Sequence, residues 1–185
     1  MSRYVAFLRG MNVGGHRLTN EELRAHFVTL GFSEVATFRA SGNVVFAGDT
    51  RPPEAVEAHI EEGLASLLGY AVPTFIRAED EVRAIAARQP FAAERVAGSA
   101  GRLQVSLLGA SPTPDIRAQV LALASEEDGL AFGASSPEGE RELYWLPSGG
   151  LLESELDVDA IDRLLGPSTR RTKGTIELIA RKHCG

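Results

Sequence analysis

The sequence predicts an α+β chain built as two similar halves, and three observations carry that expectation. A continuous apolar run at residues 4–8 leads into an amphipathic helix and then into two further β-rich segments. A second helix and a fourth β-rich segment complete a β-α-β-β-α-β order by residue 77, the ferredoxin-like or α-β plait pattern. From residue 103 the same kinds of element return in a partly matching order. The expected architecture is therefore two ferredoxin-like halves, each a largely antiparallel sheet with helices packed on one face.

The elements follow from local chemistry. Residues 4–8 read as a strand buried on both faces, because no polar residue interrupts them. Thr19 offers an N-cap oxygen and Glu22, three residues on, completes a capping box. Leu23, Phe27 and Leu30 then share one helical stripe, and Gly31 is placed to end the helix. Residues 35–40 and 44–47 are β-rich and joined by the turn Ser41-Gly42-Asn43. Pro52 and Pro53 open a helix that turns Val56, Ile60, Leu64 and Leu67 inward, and residues 71–77 form the fourth strand.

A short helix at 79–88 stops at Pro90, and the Ala- and Gly-rich residues 92–101 read as a connection. Beyond it come a strand at 103–108 and a helix at 112–125 carrying Ile116, Val120 and Leu123. A hairpin at 130–134 and 142–146 follows, then a helix with Leu156, Ile161 and Leu164 that stops at Gly166-Pro167. A last helix covers 172–182. The expected division is 1–78 for the first half, 79–101 for the short helix and connection, and 102–185 for the second half with its extra terminal helix.

Composition narrows the function. No apolar run approaches the ~20 residues of a membrane span, and the apolar start is shorter than a signal-peptide core, so the chain reads as cytoplasmic. A single cysteine, Cys184, excludes an internal disulfide framework and a multi-cysteine metal site. The four histidines, His16, His26, His59 and His183, lack metal-ligand spacing, and no cofactor motif is present. A net charge of -6 argues against bulk electrostatic binding to duplex nucleic acid. Charge is uneven, however: residues 163–185 hold six basic residues against one acid, and residues 153–162 hold five acids and no base. Arg170, Arg171 and Lys173 either pair with those acids or form an anion site with the first half.

Topology gathers the chemistry. In a split β-α-β unit the end of the first strand, the turn between strands two and three, and the entry to strand four share one sheet end. The glycine-bearing loop 10–17, the Ser41-Gly42-Asn43 turn and the Gly69-Tyr70 loop should converge there and form a pocket. The stretch LRGMNVGGHRLTNEELRAHFVTLGF, followed by ASGNVVF, resembles a bacterial family known as domain of unknown function sixteen-ninety-seven. Its members look like LRGINVGG near the start, SGNVVF some thirty residues later, and Thr-Arg-Asn near the end. Here Thr169-Arg170 fits, but Arg171 stands where the asparagine is expected. The resemblance implies the same two ferredoxin-like halves and leaves activity to be argued from the residues.

Those residues point first to an anionic ligand, a nucleotide or a phosphate-bearing metabolite. Arg9 would supply charge, Asn12 and Asn43 donors, and Gly14 and Gly15 a close backbone approach, with Arg170 from the second half. The spacing is that of neither a P-loop nor a dinucleotide fingerprint, and Glu21 and Glu22 already complement the following helix terminus. A second reading is an enzyme on a phosphorylated or acyl substrate, with His16 as base and Ser41 as nucleophile. A third is a structural or partner-binding protein whose glycines only permit tight turns. Ligand identity and oligomeric state stay open at this level.

Overall fold

The computed structural model describes residues 3–11, 18–39, 42–48, 50–137, 139–151 and 154–185. The chain divides into two compact units, Met1–Glu79 with His183–Gly185, and Asp80–Lys182. Each contains a four-stranded antiparallel sheet, so the α+β class and the two ferredoxin-like halves hold. Among the described residues no helix is long and apolar enough to cross a membrane.

The first unit runs β1 (Arg3–Leu8), α1 (Asn20–Thr29), β2 (Ala36–Thr37), β3 (Asn43–Ala47), α2 (Pro53–Leu68) and β4 (Thr74–Ala78), with sheet order β2-β3-β1-β4. The capping box forms as the sequence implies: Thr19 Oγ1 accepts from Glu22 N at 3.2 Å while Glu22 Oε2 accepts from Thr19 N at 2.8 Å. Pro53 opens α2, and Gly69, at φ 77°, ends it by donating to the Ala65 carbonyl. Tyr4, Ala6 and Leu8 of β1 pack in one cluster with Leu23 and Phe27 of α1 and Val56, Ile60 and Leu64 of α2. The alternate residues Val5 and Phe7 are buried as well, which explains why the strand shows no apolar–polar alternation. Leu67 departs from expectation: it is 50% exposed, on the outer side of α2. Strand β2 is only two residues long, shorter than the β-rich run 35–40 suggests, and Arg39 beyond it takes a left-handed φ of 57°.

Helices α1 and α2 meet where Gly63 removes a side chain; a Cβ there would lie 2.5 Å from Leu30 Cδ2 and 3.3 Å from His26 Nε2. Burial pushes the His26 imidazole below its ordinary 6.5, against an opposing pull from the Gly63 backbone. Because the folded pKa is depressed, the unfolded chain takes up a proton first as pH falls below the ordinary value. Stability should therefore fall on acidification through that range. In urea titrations at about pH 7.5 and about pH 5.5, a His26→Gln variant should lose less stability than the parent. An equal loss in both would show that His26 contributes nothing to the pH dependence.

The second unit holds α3 (Glu79–Ala87), α4 (Ala93–Gly98), β5 (Gln104–Leu108), α5 (Pro114–Leu121), β6 (Asp128–Gly133), β7 (Glu142–Pro147), α6 (Val158–Leu165), β8 (Ser168–Thr172) and α7 (Lys173–His183). Its sheet order, β6-β7-β5-β8, repeats that of the first unit. The registers correspond: Val5 lies opposite Arg77 in one sheet, and Val105 opposite Arg171 in the other. Strand β8 and helix α4 are elements the sequence pattern does not announce. The segment read as a connection folds onto strand β6 instead. A Cβ on Gly129 would come within 3.0 Å of Arg95 and Phe91, and one on Gly133 within 2.8 Å of Arg88 Nε. Leu108, Val120, Phe132, Leu143 and Ile161 form the core beneath α5 and α6.

Candidate functional site at the end of the first sheet

Three chain segments are tied together where β1 ends. Leu8 N donates to the Gly42 carbonyl at 2.8 Å, which joins the strand end to the turn before β3. Arg9 N donates to the Pro73 carbonyl at 2.9 Å, which joins the next residue to the entry of β4. Tyr70 Oη donates to the Met11 carbonyl at 2.7 Å, so the loop after α2 holds the chain two residues further on. Among the described residues the end of β1, the residues Gly42-Asn43 and the entry to β4 thus meet at one sheet end, and the ties leave Arg9 exposed, while residues 12–17 and Ser41 of the expected loops lie outside the described residues.

The turn is built around Asn43 and Gly42. The Asn43 side chain is fully buried, and its Nδ2 donates to the Phe38 carbonyl at 2.8 Å while Phe38 N donates to the Asn43 carbonyl at 2.9 Å. Asn43 therefore fixes the turn's shape. Gly42 sits at φ 72°, and a Cβ there would lie 3.0 Å from Leu8 Cβ. Gly10 is also left-handed, at φ 67°. Arg39, exposed at the start of the turn, places its guanidinium 5.6 Å from the Phe38 ring centre. Sequence reading passed over Arg39; its only signal was a basic residue flanking the Ser-Gly-Asn turn. The terminus of α1 is unsuited to an anion, because Thr19's backbone N–H, then its hydroxyl, hold the Glu22 carboxyl below its ordinary range.

Asn12, Gly14, Gly15, His16 and Ser41 lie outside the described residues. Arg170 belongs to the second unit, on β8. There its Nε donates to Ser106 Oγ at 3.1 Å and its guanidinium lies 5.1 Å from the Trp145 ring centre. Trp145 in turn donates to the buried Asp128 Oδ1 at 2.7 Å, which also accepts from Ser154 Oγ at 2.8 Å. Burial pushes the neighbouring Arg171 guanidinium down to about 10, still a cation at neutral pH. Lys173 Nζ donates to the Ala86 carbonyl at 2.7 Å and pairs with Glu177 one turn along α7, a partner outside the acid run at 153–162.

A model of the family described as "Protein of unknown function (DUF1697)" matches residues 1–136. The chain belongs to that family. The shared region takes in both glycine-bearing motifs and therefore the whole of the loop end. The fold is similar to that of a conserved bacterial protein, SP0830, from Streptococcus pneumoniae, with a TM-score of 0.71 and 20% identity over 98% of this chain and 97% of the other. No curated protein matches the sequence.

Two open depressions lie in the second unit. One of about 260 Å³ is lined by Arg95, Ser99, Glu126, Glu127 and Ser148 among others. A second of about 430 Å³ carries Glu126, Glu127, Asp128 and Glu155. Their carboxylates would repel an anion. Among the described residues no group of three or more His, Cys, Asp or Glu side chains is placed to hold a metal ion. The DUF1697 loop end differs in kind, with two exposed guanidiniums and left-handed glycines at a point where three segments meet.

Proposed function

We propose that this DUF1697 protein is a cytoplasmic binding module for a small anionic ligand, a nucleotide or a phosphate-bearing metabolite. The site is the 10–17 loop with the 41–43 turn. One observation carries the reading: backbone bonds from Leu8 and Arg9 bring the turn and the β4 entry to one sheet end that also bears the exposed Arg9 and Arg39. Guanidiniums recognise phosphate and carboxylate through paired N–H donors, which suits an anion better than an apolar partner. Asn43 contributes by holding the turn, and the Gly14-Gly15 pair by letting backbone N–H groups approach the ligand. The enzymatic alternative rests on His16 and Ser41, which lie outside the described residues.

The test is thermal unfolding in the presence of ADP, inorganic pyrophosphate or a sugar phosphate. A ligand at 100 times its Kd stabilises the folded state by ~2.7 kcal/mol, a readable rise in Tm. Arg9→Ala should weaken that ligand ~10-fold or more, the worth of a charge-assisted hydrogen bond, without lowering the Tm of the free protein. A ligand that binds the variant as tightly as the parent would remove Arg9 from the site.

A further inference from the structure

Phe38 and Arg39 lie just before the turn at the end of the first sheet, and each is held in a particular setting. The Phe38 backbone is tied twice to Asn43: its N donates to the Asn43 carbonyl at 2.9 Å, and its carbonyl accepts from Asn43 Nδ2 at 2.8 Å. Phe38 is half-buried, and the His183 imidazole meets its ring edge-on, with ring centres 6.0 Å apart and planes at 78°. His183 belongs to the same unit and is itself fixed, because its carbonyl accepts from Arg3 Nη1 at 3.1 Å. The plane of the Phe38 ring is therefore set before any ligand arrives. Neighbouring side chains on an extended strand point to opposite faces, but Arg39, at a left-handed φ of 57°, turns back over the preceding ring. Its exposed guanidinium comes to rest 5.6 Å from the ring centre.

We propose that the ligand at this sheet end is a nucleotide, with its base between the Phe38 ring and the Arg39 guanidinium and its phosphates at Arg9. The inference rests on the anion reading of the site and narrows it. Bases stack on aromatic rings and on guanidinium planes alike, and here the one already lies over the other. A base between them needs two contacts of about 3.5 Å, so the guanidinium has to withdraw to about 7 Å from the ring. That swing is short for an exposed arginine. The lateral spacing also fits. In the sheet order β2-β3-β1, the strand leading to Phe38 and the strand ending before Arg9 are two strand spacings apart, about 10 Å. A nucleotide bridges a gap of that order with its ribose, whereas pyrophosphate held at Arg9 leaves the ring untouched. A free nucleotide is favoured over a nucleic-acid strand because a net charge of -6 opposes a long polyanion.

The experiment measures, by titration calorimetry on the full chain, the affinities of ADP, GDP, UDP and pyrophosphate for the parent and for Phe38→Leu. That variant keeps the backbone ties to Asn43 and an apolar side chain but has no ring. At least one nucleotide should bind the parent and lose ~10-fold or more in the variant, the scale of a lost base stack, while pyrophosphate binds both alike. Arg39→Lys keeps the charge and removes the plane; it should show the same split, and it decides if the leucine variant fails to fold. The same nucleotide should shift the Phe38 ring protons in the NMR spectrum of the parent, and pyrophosphate should not. Equal weakening of nucleotide and pyrophosphate overturns the base contact and leaves the anion site standing, since Phe38 then only holds the turn. So does a parent that binds pyrophosphate but no nucleotide, or nucleotide binding that neither variant alters. A parent that binds none of the four overturns the anion reading and this inference together. A short oligoadenylate bound more tightly than ADP overturns the choice of a free nucleotide.

Discussion

Phe46→Ala is expected to lower stability by about 3–5 kcal/mol, the range for truncating a fully buried phenylalanine. Phe46 is fully buried on β3, with ring centres 6.0 Å from Tyr4, 5.9 Å from Phe27 and 4.6 Å from Phe32. These tilted pairs add to area burial, and the cavity opens between a central strand and two helices that are pinned by other contacts. Collapse around the gap is therefore limited. Urea unfolding of the variant checks the figure. A loss below about 1 kcal/mol would show that α1 can settle onto the sheet without that ring.

Gly42→Ala should cost about 2–3 kcal/mol, and Gly31→Ala only about 1 kcal/mol. Both glycines are left-handed, at φ 72° and φ 93°. They differ in what surrounds them: nothing lies within 4 Å of a Cβ on Gly31, whereas one on Gly42 meets Leu8 Cβ at 3.0 Å and Leu8 O at 3.4 Å. The difference between the two variants isolates the close approach of the turn to β1. Displacing the turn also strains the bond from Leu8 N to the Gly42 carbonyl, so under the proposed function the Gly42 variant should bind pyrophosphate more weakly even where it is folded. Equal costs at the two sites would mean that the turn and strand end are not held in register by this contact.

Much of the first half was legible because its signals are local. The Thr19–Glu22 capping box, Pro53 at the start of α2 and the unbroken β1 run each specify their element within a few residues. That the end of β1, the start of β3 and the entry to β4 share one sheet end also followed, since strand order alone fixes which ends coincide. Strand β8 was not legible: Ser-Thr-Arg-Arg-Thr has no apolar period, and its burial comes from Ser168 and Thr169 on a sheet edge. Residues 92–101 look like a linker because Ala and Gly carry little periodicity. The feature that seats the neighbouring helices, Gly129 and Gly133 on β6, lies some thirty residues away. The full burial of Arg77 was equally hidden, for a lone arginine in a strand more often marks a solvent-facing position. Of the site, Arg9 could be read from its place at a strand end. Arg39 could not, because its exposure depends on a left-handed turn residue that the sequence does not flag.

The most direct measurement is a backbone amide NMR titration of the protein with inorganic pyrophosphate. Binding at the proposed site should shift the amides of Arg9, Gly10, Gly42 and Tyr70 together, with one saturating affinity, and leave those of Glu126 to Asp128 in place. Shifts confined to the second unit, or none at saturating pyrophosphate, would contradict an anion site at the end of the first sheet.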